Sequence, residues 1–129
     1  MNGKIEFASA LFCLALVACE SNIAKSDIIG HYTANHGHGI ETLELLPNGE
    51  YVLLYKGQGT PSLENRNKWQ FDYTKGTPQI TFSKYVFGYR GDPGAATGPG
   101  YWDVSVTRTV FGKIRLEINS DLGYYYYKD

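Results

Sequence analysis

Cysteine is almost missing from this chain. Cys13 and Cys19 are the only two, and nothing after residue 19 carries a thiol. A disulfide framework or a cysteine-rich zinc centre is therefore excluded for the body of the protein. Neither sign of charge is in surplus. Twelve basic against thirteen acidic side chains leave a formal net charge of −1, without the cationic excess that nucleic-acid binding needs. Long apolar runs are missing as well, since Phe7 to Val17 is too short to span a bilayer. Helical periodicity is hard to find from Gly30 onward. Histidine is scarce and confined, with His31, His36 and His38 all inside "GHYTANHGHGIE".

What is present begins at the amino terminus. Lys4 gives a weakly positive start, Phe7 to Val17 an apolar core, and Leu16-Val17-Ala18-Cys19 a small residue ahead of a cysteine. This order resembles a bacterial lipoprotein precursor with its lipobox. Glu6, an acid at the edge of the apolar core, departs from that pattern. The resemblance implies cleavage by signal peptidase II before Cys19 and a diacylglycerol on its sulfur. It also implies a membrane partner reached through that lipid. Glu20 follows the cysteine where enterobacterial lipoproteins retained in the inner membrane carry Asp, so the resemblance favours the outer membrane, facing the periplasm. Cleavage would remove Lys4 and Glu6 together, leaving 11 basic against 12 acidic groups in 111 residues. That length suits one domain. The expected layout is a signal peptide over 1–18, a lipidated Cys19 with a short tether over 19–27, and a single β domain over 28–129. Fully extended, the tether from Glu20 to Asp27 reaches roughly 26 Å.

Period-two alternation dominates the rest, with turn signals every eight to twelve residues. Pro47-Asn48-Gly49 suits a three-residue hairpin. That register pairs Leu45 with Tyr51 and Leu43 with Leu53, and places Leu43, Leu45, Tyr51, Leu53 and Tyr55 on one face. "KWQFDYT" predicts Trp69, Phe71 and Tyr73 inward. "QITFSKYVF" adds Ile80 and Phe82, with a slip at Lys84-Tyr85 where a bulge or the end of pairing is expected. "WDVSVTRTV" aligns Trp102, Val104 and Val106, and "KIRLEIN" aligns Ile114, Leu116 and Ile118. "YYYYKD" reads as a last strand with tyrosines on both faces. The fold class is therefore all-β: an antiparallel meander of about eight strands forming a small barrel or strongly curved sheet, with a sandwich second. The "GHY" start, the "LELLPNGEY" hairpin and "NKWQF" resemble small bacterial lipocalin-like domains, although Tyr32 stands where those carry tryptophan. The wider layout is similar to a group of uncharacterised bacterial lipoproteins, a likeness that implies no activity.

Candidate site residues are few. On a regular strand His36 and His38 share a face and His31 takes the other, while Gly37 and Gly39 argue for a turn. A metal site is not expected, because two imidazoles lack a fixed third ligand. Asn35, His36 and His38 form a candidate binding loop. "GYRGDPGAATGPG" is a long glycine-rich loop to which Tyr89 and Arg90 bring aromatic and polar contacts. Tyr51 and Trp69 would line any cavity in the barrel. Catalysis is not expected: the serines have no nucleophile-elbow context, and the carboxylates fall on strand positions read as outward. No cofactor is implied. The expected function is a non-catalytic binding module for a small ligand or an envelope component, acting as a monomer. The alternative is a protein-interaction lipoprotein such as a hydrolase inhibitor or an immunity protein. A cavity of a few hundred Å3 lined by Leu43, Tyr51 and Trp69 would favour the binding module, and a filled interior with a flat tyrosine and loop patch would favour the protein-interaction reading.

Overall fold

Alternation and the Pro47-Asn48-Gly49 turn build the first hairpin as the sequence predicts. Gly49 takes a positive φ of 87°, Leu46 N–H donates to Glu50 O, and Leu45 pairs with Tyr51 and Leu43 with Leu53. The computed structural model describes residues 23–35, 39–57, 62–74, 76–85 and 100–129. Cys19, His36, His38, Tyr89 and Arg90 lie outside them.

The strands are β1 (Gly30–Asn35), β2 (Gly39–Leu45), β3 (Glu50–Gly57), β4 (Leu63–Thr74), β5 (Thr77–Ser83), β6 (Tyr101–Arg108), β7 (Ile114–Asn119) and β8 (Tyr124–Lys128). They run as an antiparallel meander that closes into a barrel. Closure selects the barrel over an open sheet or a sandwich. The seam is short: Tyr32 pairs with Lys128 and Thr33 with Tyr127. The long β4 serves two neighbours in succession. Residues 63–68 pair with β3, and residues 69–74 pair with β5. This offset supplies part of the stagger that a closed barrel requires.

The interior follows strand parity. Leu43, Leu45, Tyr51, Leu53, Ile80, Phe82 and Leu116 are all buried, and Val104, Val106, Ile114 and Ile118 join them. Pairing ends at Ser83, where Lys84 takes a positive φ of 50° and Tyr85 turns inward to a buried position. Tyr73 departs from its predicted place. It lies at the end of the barrel, 46% exposed, with its hydroxyl donating to Ile23 O.

Residues 23–27, expected as tether, pack on the domain instead. Ile23 is buried in the core, and a single helical turn, α1 (Lys25–Ile28), follows it. Asp27 accepts from Ala24 N–H at 2.8 Å to fix the turn. Ile28 plugs the barrel end, and the Tyr32 hydroxyl donates to its carbonyl at 2.5 Å. Two apolar side chains are thereby taken out of water, which explains why so short a helix stays in place.

Candidate functional site

The end of the barrel opposite α1 contains a carboxylate inside the wall. Parity from Leu43 and Leu45 turns Glu41 inward on β2, where it is fully buried. This corrects the expectation that the acidic residues all face out. Ala34, paired with Glu41 across β1, carries only a methyl group. One strand further round, β8 presents Tyr124 and Tyr126 inward, and both hydroxyls donate to the Glu41 carboxylate. The Tyr85 hydroxyl lies 2.8 Å from that of Tyr126. Because the single proton of Tyr126 is directed at Glu41, Tyr85 is the donor in that contact. The result is a relay from Tyr85 to Tyr126 to Glu41, with Tyr124 donating from the side. Tyr124 and Tyr126 also meet edge-on, with ring centroids 5.8 Å apart.

Burial pushes the Tyr85, Tyr124 and Tyr126 phenols well above their ordinary ionisation range, and the neighbouring Glu41 charge acts in the same direction. Phenols held protonated in this way are hydrogen-bond donors rather than bases or nucleophiles. A buried carboxylate is costly unless several donors compensate it, and this cluster supplies them.

The predicted residues separate on the structure. Tyr51 is buried, and its hydroxyl donates to Ser83 O at 2.7 Å and accepts from Asn65 at 3.2 Å. These bonds bridge the place where the upper part of β4 has parted from β5. Trp69 is 4% exposed and donates from Nε1 to Leu46 O at 3.1 Å. Leu43 and Tyr51 show no accessible surface, so at their level side chains fill the barrel rather than line a cavity. Asn35 ends β1. His31 faces outward, 3.7 Å from Glu44, and among the described residues no group of His, Cys, Asp and Glu is arranged to hold a metal ion. Gly39 does not take the positive φ expected of it. It is required because an added Cβ would stand 2.7 Å from Lys56 O and 2.9 Å from the Tyr55 ring.

On the outside, where β4 and β5 diverge, lies a depression of ≈ 610 Å3 lined by residues that include Asn67, Lys68, Gln70, Ser83, Lys84 and Tyr101. Tyr101 is 76% exposed there. An open aromatic face amid amides, hydroxyls and ammonium groups offers a partner both apolar and hydrogen-bonding contacts. Sequence reasoning missed this site because it joins outward positions on two strands whose divergence no alternation pattern encodes. Searches of protein-family models, of curated proteins and of solved structures found no match to this chain.

Proposed function

We propose that this protein is a lipid-anchored, non-catalytic binding module of the bacterial envelope, tethered through Cys19 to the outer membrane and facing the periplasm. It holds an envelope component against the outside of its barrel. The observation that supports this reading is the packing of the barrel at the level of Leu43 and Tyr51, both wholly enclosed, which favours recognition by the outer wall. The depression beside Tyr101 offers aromatic and hydrogen-bonding contacts to an envelope component. A protein partner, as for a hydrolase inhibitor or an immunity protein, is the second reading. It is favoured by the exposed Tyr101 ring, because tyrosine is enriched at protein interfaces.

The anchor is tested by Cys19→Ala, which should abolish membrane retention and leave unprocessed precursor. Globomycin, an inhibitor of signal peptidase II, should reproduce that accumulation, and normal cleavage of the variant would sink the assignment. The wall site is tested by capture from native envelope followed by mass spectrometry, comparing the full chain with its Tyr101→Ala, Lys68→Ala variant. Undiminished capture by the variant would move recognition elsewhere.

A further inference from the structure

The turn between β6 and β7 carries two apolar side chains that the fold does not use. Val110 is 99% exposed and Phe111 98%. The turn is closed by Thr109 N–H to Lys113 O at 2.7 Å and Gly112 N–H to Thr109 O at 2.9 Å. Only Gly112, at a φ of 81°, meets a backbone requirement. Positions 110 and 111 could hold any polar residue, as turns usually do. Neither side chain joins the core.

This tip stands at the α1 end of the barrel. Arg108 lies 3.9 Å from Asp27 of α1, and residues of α1, of the turn and of the end of β8 line one cleft. Four peptide steps separate Cys19 from Ile23, a reach of roughly 14 Å, and Ile23 is fixed to this same end through Tyr73. The turn itself, residues 108–113, contains Arg108 and Lys113 and no acidic residue, while Arg115 beyond it is paired with Glu117 at 3.0 Å. Two acids, Asp27 and Asp129, line the cleft beside it; Asp27 accepts from Ala24 N–H and lies beside Arg108, and Asp129 accepts from the Thr33 hydroxyl at 2.9 Å.

From these features we infer that Val110 and Phe111 insert into the headgroup boundary of the membrane that holds the anchor. The barrel then stands with its α1 end down, and Arg108 and Lys113 lie level with the lipid phosphates. An apolar tip flanked by cations is the composition that such a boundary selects. The orientation turns the Glu41 end away from the bilayer. This inference rests on the anchoring reading above, and the two fail separately in the following experiment.

The full chain carrying Phe111→Cys, Val110→Cys or Asp121→Cys is purified from membranes and labelled with an environment-sensitive dye. It is then reconstituted into phosphatidylethanolamine–phosphatidylglycerol vesicles containing spin-labelled lipid, and the mass of the N-terminal peptide reports lipid on Cys19. Asp121 is exposed near the opposite end, between β7 and β8. The expected result is several-fold stronger quenching at positions 110 and 111 than at 121. Equal quenching, or none at the tip of a chain lipidated on Cys19, overturns the insertion and leaves the anchor standing. Tip quenching without lipid on Cys19 upholds the insertion and removes the anchor. A photo-crosslinker at Val110 that joins a protein, with no quenching by lipid, overturns the membrane as occupant in favour of a protein.

Discussion

Tyr126 and Glu41, 85 residues apart in sequence, are hydrogen-bonded inside the barrel. Only closure of β8 onto β1 brings them within reach, with the small Ala34 side chain on the strand between them. The contact is therefore a polar lock across the seam. Tyr126→Phe removes a donor from a buried carboxylate and should cost about 1–3 kcal/mol in urea unfolding. Tyr124→Phe, which leaves the Tyr126 donor in place, should fall in the same range. A loss under about 0.5 kcal/mol for both would show that the carboxylate is solvated and the lock absent.

Alkaline pH should open the protein. Burial raises the Tyr32, Tyr85, Tyr124 and Tyr126 phenols above their ordinary value, and that of Tyr51 is pushed up to about 12. A proton held more tightly in the folded than in the unfolded chain stabilises the fold at pH values below the unfolded phenol pKa of about 10. That contribution declines as pH rises from there through the folded value, to about 12 for Tyr51 and further for the others. Tyrosinate absorbance and circular dichroism, followed together, should show five of the eleven tyrosines ionising only as ellipticity is lost. Their ionisation in a fully folded barrel would contradict the burial.

Trp69 joins the first hairpin to the lower half of the barrel. Its indole is buried and bonded to Leu46 O, and the Lys25 ammonium stands 5.4 Å from the ring centroid. Trp69→Ala should cost about 3–5 kcal/mol, a large share of the stability of a small domain. A loss below about 1 kcal/mol in urea melts would contradict the packing.

Zinc should bind weakly, with a Kd on the order of 10–100 μM or worse, because two imidazoles without a fixed third ligand lose much of their gain to loop ordering. His31 stands on the outer face of β1, beside Glu44. The double change His36→Ala, His38→Ala should leave Tm nearly unchanged with or without Zn2+. A zinc-dependent rise of many degrees that the double variant loses would make those two residues ligands.

Alternation made most of the barrel legible, because a period of two fixes which side chains face the core wherever strands are regular. The Leu43, Leu45, Tyr51 and Leu53 register could be read to the residue, since Pro47-Asn48-Gly49 admits few turns. The same parity, carried back two residues from Leu43, already placed Glu41 inside. The general preference of carboxylates for water obscured it, and the tyrosines that compensate it lie more than eighty residues away. The packing of Ile23 and Ile28 was hidden for another reason. A one-turn helix has no periodicity to detect, and its position is set by the open barrel end it covers.

The seam between β1 and β8 has a consequence for the order of assembly. Every other pairing in the meander joins neighbours in sequence and can form from local chain closure. The seam instead spans nearly the whole domain, as the Thr33–Asp129 bond across 96 positions shows, and its ladder has two residue pairs. The chain-entropy cost of that closure is concentrated in one late event. Until it occurs, β1 and β8 are both unpaired edges, able to accept a strand from another molecule. The refolding barrel is thus most vulnerable to intermolecular association in the interval before its two ends meet.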